Sequence, residues 1–135
     1  MKKILIVLSI LILTGCFENS GYVTRSCKKI ESAGSLKTES IYTFTFKNDV
    51  INDINILYKY EDTNTLTIDS IKTSIEGQNK FLDVDYEVVT NESNKYVIKY
   101  NIDLESDKQI LDKFMIKSSR TDLVNKLKDE GYECE

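Results

Sequence analysis

Three cysteines carry the most distinctive chemistry of this chain, because a thiol can be acylated, oxidised or bound to a metal. They are Cys16, Cys27 and Cys134, and no two of them have the Cys-x-x-Cys spacing of redox or metal centres. The sequence contains no histidine. Ser-His-Asp catalysis, Cys-His catalysis and histidine-ligated zinc or copper sites are therefore excluded within this sequence.

Cys16 closes the stretch Leu13-Thr14-Gly15-Cys16, which follows a basic start, Met1-Lys2-Lys3, and an apolar run over residues 4–13. A basic start, a short apolar run and small residues before a cleavage point are the signs of a secretory signal peptide. The alternative is a short uncleaved membrane anchor. It is disfavoured because the run has only 10 residues, whereas a bilayer-spanning helix needs about 20.

With a cysteine directly after the small residues, this stretch resembles the lipobox of bacterial lipoproteins. The resemblance implies cleavage between Gly15 and Cys16 and a diacylglycerol on the Cys16 thiol. Two acyl chains on one residue attach a protein stably to a membrane. We therefore expect a signal peptide over residues 1–15, a lipidated cysteine and short linker over residues 16–21, and a domain over residues 22–135 at the extracytoplasmic face of the cell membrane.

The charge balance limits the partners of the expected mature chain. Removing residues 1–15 removes Lys2 and Lys3, which leaves 16 basic against 22 acidic side chains and a net charge of −6. Non-specific binding to nucleic acid requires clustered Lys and Arg, so we expect no nucleic-acid partner. A polybasic membrane contact is disfavoured for the same reason, and the lipid would provide the attachment.

Alternating apolar and polar residues predict strands, because successive side chains of a strand point to opposite faces. Residues 22–31 have no clearly apolar face and suit an edge strand. Turns are expected at Ala33-Gly34-Ser35, Asn48-Asp49 and Asn91-Glu92-Ser93-Asn94. The clearer strands carry these apolar faces: Tyr42, Phe44 and Phe46; Ile54, Ile56, Tyr58 and Tyr60; Val84, Tyr86 and Val88; Tyr96, Ile98, Tyr100, Ile102 and Leu104.

Apolar residues at spacings of three and four predict three helices. The first carries Ile68, Ile71 and Ile75, with Thr63 or Thr65 as N-cap and Gly77 near its end. A short second helix is expected after Ser106-Asp107, with Ile110, Leu111 and Phe114. The third would open with the capping box Ser119-Arg120-Thr121-Asp122 and end at Gly131, and it carries Leu123, Val124 and Leu127.

The two periodicities together predict an α+β fold. Its elements follow the order βββ-α-ββ-α-α, with an antiparallel sheet of about five strands and the helices packed on one face. The 120 residues that follow the signal peptide can bury roughly 65% of their unfolded surface, which is enough for one core.

Cys27 and Cys134 stand at opposite ends of the expected domain. Outside the cytoplasmic membrane, two cysteines without a metal-ligand cluster favour one disulfide. Closing a loop of this length would stabilise the fold by about 4 to 5 kcal/mol in the chain-entropy model, and disulfides often contribute less in practice. The alternatives are a redox or metal-binding thiol pair and two unpaired buried thiols.

The order of these elements also suggests a family. A lipobox is followed by a Tyr- and Phe-rich meander, a helix, a hairpin and a C-terminal helix that ends in Glu130-Gly131-Tyr132. Over residues 16–132 the chain resembles the YehR-like small bacterial lipoproteins. The resemblance implies a fold and a location but no reaction, since that family has no assigned activity.

Two groups of residues could form a binding site. Asp83, Asp85 and Glu87 alternate and would project from one strand face, where they could bind Ca²⁺ or form a solvated face opposite Lys99. The eight tyrosines could form a stacking platform, but their alternation favours a packed core. Tyr22 and Tyr132 are the exceptions for which we expect exposed rings.

The sequence has no recognisable catalytic constellation. We therefore predict a membrane-anchored, non-enzymatic domain without a cofactor that binds an envelope protein or another component of the cell envelope. The alternative is a small-molecule or ion-binding lipoprotein that uses a crevice between sheet and helices. Hydrolysis by paired carboxylates alone is a third and weaker candidate.

Overall fold

The computed structural model describes residues 21–104 and 119–135, together with residues 109 and 111. The expected signal peptide, the lipidation site Cys16 and linker residues 16–20 lie outside these residues. So does nearly all of the short helix expected after Ser106. These expectations therefore stay predictions.

The described residues form an open antiparallel sheet of six strands with two helices, which confirms the expected α+β class. The strands lie in the order β4-β5-β3-β2-β1-β6, and each neighbouring pair is antiparallel. Their bounds are β1 Tyr22–Ala33, β2 Leu36–Lys47, β3 Val50–Glu61, β4 Glu87–Asn91, β5 Lys95–Asp103 and β6 Glu133–Cys134.

The sheet has one strand more than the sequence predicted, because Glu133–Cys134 pairs with the outer edge of β1. A strand of two residues shows no alternation and therefore has no signal in the sequence. The expected meander is present: β1, β2 and β3 pair in succession through tight turns. At the second turn Asn48 and Asp49 have φ of 50° and 64°, which is the backbone of a two-residue hairpin.

Helix α1 spans Thr65–Leu82, and its N-cap lies one residue away from each of the two predicted positions, Thr63 and Thr65. Asn64 is the cap, and its side chain accepts a hydrogen bond from the backbone amide of Leu66. Gly77 lies inside the helix, whereas the sequence predicted it near the end. The helix continues to Asp83, which stops it in the left-handed conformation at φ 53°.

The extended helix also shortens the strand that follows it. The sequence predicted a strand from Val84, but β4 begins at Glu87. The helical stripe of Ile68 and Ile75 continues with Asn79, which is buried. Because Asn79 is polar, the spacing of apolar residues did not predict that the helix continues through this turn.

Helix α2 spans Arg120–Asp129, and Ser119 caps it as predicted. The Ser119 hydroxyl accepts from the amide of Asp122 at 3.5 Å. Gly131 follows the helix with φ 92°, a backbone that favours glycine. The amide of Tyr132 then donates to the carbonyl of Leu127 at 2.9 Å, so the helix ends in a Schellman motif.

Both helices cover the same face of the sheet. Buried residues of α1 and α2 form one core cluster with the apolar faces of β2, β3 and β5. The opposite face, called the open face below, carries polar and charged side chains. Neither described helix is long and apolar enough to cross a bilayer. The core contains Phe44, Phe46, Ile54, Ile56, Ile68, Ile75, Tyr96, Ile98, Tyr100, Ile102, Leu123 and Leu127.

Candidate functional site

The structure brings the two predicted disulfide partners together. Cys27 and Cys134 are directly opposite in the β1–β6 pair. Ser26 and Glu135 exchange both backbone hydrogen bonds, at 3.2 and 2.8 Å. The cysteines therefore occupy the neighbouring non-hydrogen-bonded position, where side chains of an antiparallel pair come closest. Their sulfur atoms are 2.02 Å apart, and Cys27 is fully buried, so the fold accommodates the expected disulfide.

A cluster of tyrosines lies on the helix-covered face beside the disulfide. The hydroxyl groups of Tyr42 and Tyr58 are hydrogen-bonded, and their rings meet edge to face at 6.0 Å. Tyr132 packs edge-on against Tyr42 at 5.5 Å, and the Lys29 ammonium lies 5.6 Å from the Tyr132 ring centre. The expectation that Tyr132 is exposed is therefore wrong, whereas the ring of Tyr22 is 48% exposed as predicted.

Burial keeps these tyrosine hydroxyls protonated. Loss of solvent raises the pKa of Tyr58 to about 12. It also raises the pKa of Tyr42, and the adjacent Tyr58 adds to that effect. A phenol with a raised pKa is a poor general base and a poor nucleophile at neutral pH. The cluster therefore serves as packing with internal hydrogen bonds.

A small pocket lies at the end of α1, where the helix meets β5 and the connection to β4. Its volume is about 310 Å³. The buried Asn79 accepts a 2.7 Å hydrogen bond from the Tyr100 hydroxyl through Oδ1, but its Nδ2 has no acceptor among the described residues. We call this the crevice pocket. It is lined by Glu76, Asn79, Lys80, Asp83, Val84, Asp85 and Tyr86.

The three carboxylates predicted to share a strand face do not do so. Asp83 caps α1, Asp85 lies in the connection, and only Glu87 is on a strand, where it pairs with Lys99. The cause is the longer helix, which occupies the start of the predicted strand. Within residues 21–104 and 119–135, no group of three or more Cys, Asp or Glu side chains could hold a metal ion. The shared strand face that the calcium alternative required is therefore not formed.

The open face carries a row of alternating charges that crosses four strands. Lys28 contacts Glu39 at 2.9 Å, and Lys59 contacts Glu39 at 3.9 Å and Glu61 at 3.2 Å. Lys95 completes the row by contacting Glu61 at 3.4 Å. Hydrogen bonds from Lys28 and Lys59 lower the pKa of Glu39 and Glu61, respectively. We call these five residues the lysine–glutamate ladder.

An aliphatic groove lies beside the ladder on the same face. It has a volume of about 540 Å³, and its apolar side chains include Ile41, Leu57 and Val89. Val89 is 51% exposed and lies on the same face as Glu87, two residues earlier, as strand alternation requires. We call this the open-face groove; Glu87 and Lys99 are at its rim.

One buried carboxylate, Asp62, has a structural role. Its Oδ1 accepts from the backbone amide of Asn64 at 2.9 Å and from the Ser35 hydroxyl at 2.7 Å. These hydrogen bonds lower the pKa of Asp62. They also join the β1–β2 turn to the start of α1, so this carboxylate is not free to act on a ligand.

Comparison with known proteins informs the fold alone. No protein-family model and no curated protein sequence matches the chain. The chain is similar to a protein from Streptococcus pneumoniae TIGR4 whose structure was solved by NMR. The two share 14% sequence identity over 87% of each chain, with a TM-score of 0.52. At that identity the likeness shows a shared fold.

We predict that Cys27 and Cys134 are joined in the folded protein. Replacing both by serine (Cys27→Ser with Cys134→Ser) should lower the free energy of unfolding by about 2 to 4 kcal/mol, because the unfolded chain loses a cross-link over 107 residues. Urea denaturation measures the difference, and reduced wild type should match the double variant. Peptide mapping without reductant that finds both thiols free would contradict the prediction.

We also predict that stability falls above pH 10, in part through Tyr58. Below that pH Tyr58 is protonated in both states; between 10 and about 12 only the unfolded form ionises, which favours unfolding. Tyr58→Phe should therefore show a shallower loss than wild type in urea denaturation between pH 9.5 and 11.5. Tyr22→Phe, which changes a half-exposed ring, is the control. Equal slopes for wild type and Tyr58→Phe would refute the assignment.

Proposed function

We propose that this chain is a lipoprotein on the extracytoplasmic face of the cell membrane, and that its α+β part is a non-enzymatic binding domain for an envelope protein. The sequence Leu13-Thr14-Gly15-Cys16 after an apolar run supports the localisation at the membrane. The observation that carries the binding role is the open-face groove. It is an aliphatic depression on a sheet face that no described helix covers.

The chemistry of the open face favours a protein over a glycan as the partner. Aromatic rings are the usual stacking surface for a sugar, but seven of the eight tyrosines are buried in the core or packed against it. The open-face groove instead offers the aliphatic side chains of Ile41, Leu57 and Val89. Charges of both signs surround them in the lysine–glutamate ladder. An apolar centre with a polar rim is typical of protein interfaces.

The proposed attachment to the membrane depends on acylation of Cys16 and can be tested directly. Cys16→Ala should abolish incorporation of a labelled fatty acid and either release the domain from membranes or leave an uncleaved precursor. Labelled palmitate followed by fractionation measures both effects. Cys27→Ser is the matched control, because that thiol lies in the folded domain and should not be acylated. Unchanged labelling of Cys16→Ala would refute the lipobox.

The partner site can be tested with matched surface substitutions. Affinity purification of the full chain from detergent-solubilised membranes should recover a partner protein at stoichiometric levels. Val89→Asp places a charge in the open-face groove and should reduce the recovered partner at least tenfold. Leu66→Asp is the control, since Leu66 is 74% exposed on α1. Recovery of no stoichiometric partner, or equal loss in both variants, would count against the proposal.

A second candidate function is small-ligand binding in the crevice pocket, supported by the unpaired Nδ2 of Asn79. A buried donor without an acceptor is costly, by about 1 to 3 kcal/mol. The carboxylates of Glu76, Asp83 and Asp85 line the same pocket. The matching ligand is a small organic cation that also carries an oxygen acceptor. Val89→Asp would leave this binding unchanged, which separates it from the first candidate.

Two finer expectations are part of this proposal. One is the third helix after Ser106, which would complete the order βββ-α-ββ-α-α on the covered face. The other is kinship with the YehR-like lipoproteins. The order of the described elements is compatible with that kinship, although no protein-family model matches the chain.

A further inference from the structure

A groove beside the disulfide has a charge opposite to that of the whole chain. It lies between α2 and the β1–β6 edge of the sheet, and its volume is about 290 Å³. Three of its eight lining residues are basic in a protein with a formal net charge of −4. We call it the basic groove. Its lining residues are Arg25, Arg120, Thr121, Val124, Asn125, Lys128, Cys134 and Glu135.

The basic side chains of this groove are only partly neutralised. Arg120 Nη2 contacts Asp49 Oδ1 at 2.9 Å. In the part of the chain that the structure describes, Arg25 and Lys128 form no ion pair. On the open face, by contrast, Lys28, Lys59 and Lys95 are paired in the lysine–glutamate ladder. The basic groove therefore leaves positive charge available for a ligand.

The remaining lining residues add hydrogen-bonding groups and one carboxylate, that of Glu135, against the three basic side chains. Thr121, Asn125 and Lys128 follow one another at spacings of four and three residues, so they share one face of α2. They contribute a hydroxyl, an amide and an ammonium group. Glu135 is held at the edge of the groove by the two backbone hydrogen bonds that it exchanges with Ser26.

We propose that the basic groove binds a phosphate ester through Arg25, Arg120 and Lys128. Guanidinium groups match phosphate oxygens in a two-pronged geometry, and a lysine adds a further point charge. The groove is larger than a phosphate ion needs, so it accommodates the organic group of a small ester. The β6 strand forms one wall and is attached to β1 at Cys134. This inference goes beyond the proposed function, because it uses another surface and does not require a partner protein.

The same phosphate chemistry can come from a soluble ester or from the headgroup of an anionic lipid. The test uses the full chain in neutral detergent micelles with ¹⁵N-labelled arginine. One arm adds sn-glycerol 3-phosphate, and the other adds phosphatidylglycerol, with phosphatidylcholine as its neutral comparison. A saturable shift of the Arg25 side-chain NMR signal in either arm supports the proposal and identifies the source. No saturable shift in both arms overturns it.

Substitutions then assign the binding to the basic groove. Arg25→Gln and Lys128→Gln should each weaken binding of the active probe about tenfold, since a charged hydrogen bond is removed. Binding to Arg25→Gln is followed through Arg120. Lys37→Gln removes the same charge from the opposite end of the β1–β2 hairpin and should bind as wild type does. An equal loss in Lys37→Gln would mean non-specific charge attraction and would overturn the site. If Arg25→Gln and Lys128→Gln lose phosphate binding but still recover the partner protein, the two sites are separate and the proposed function is not affected.

Discussion

The burial of one face of the sheet under α1 and α2 is the contact on which the rest of the molecule depends. The alternating side chains of β2, β3 and β5 meet the helical stripes in one cluster that includes Phe44, Ile56 and Ile98. Because a strand alternates, committing one face to the core commits the other to solvent. The crevice pocket and the tyrosine cluster therefore belong to the covered side, and the lysine–glutamate ladder to the open side.

The covered face contains an unusual number of hydroxyl groups for a core, and their pairing explains how this is tolerated. Tyr42 and Tyr58 bond to each other, and Tyr100 donates to Asn79. A tyrosine contributes a large apolar area, but its hydroxyl must find a partner when it is buried. The buried hydroxyl groups therefore form hydrogen bonds with one another or with neighbouring side chains of the core. The Nδ2 of Asn79 is the exception among the described residues, and it is the observation behind the second candidate function.

How much the sequence could predict depended on whether the signal was local. The strand faces, the Asn48-Asp49 turn and the Ser119 cap were predictable, because each depends on residues adjacent in the chain. The end of α1 was not, since Asn79 is a polar residue at a buried helical position. The β6 strand is too short for a pattern. The position of Tyr132 against Tyr42 and the sites lined by several elements required the register of the sheet, which no periodicity contains.

The distribution of charge separates the possible functions of the three surfaces. On the open face each lysine of the ladder has a carboxylate within 4.0 Å, so that face is close to neutral and suits a contact built on aliphatic area. The crevice pocket has three carboxylates against one lysine, and the basic groove has the reverse bias. A single ligand cannot satisfy both pockets at once. Because β6 forms a wall of the basic groove and is attached through Cys27 and Cys134, the predicted disulfide would hold that wall in place.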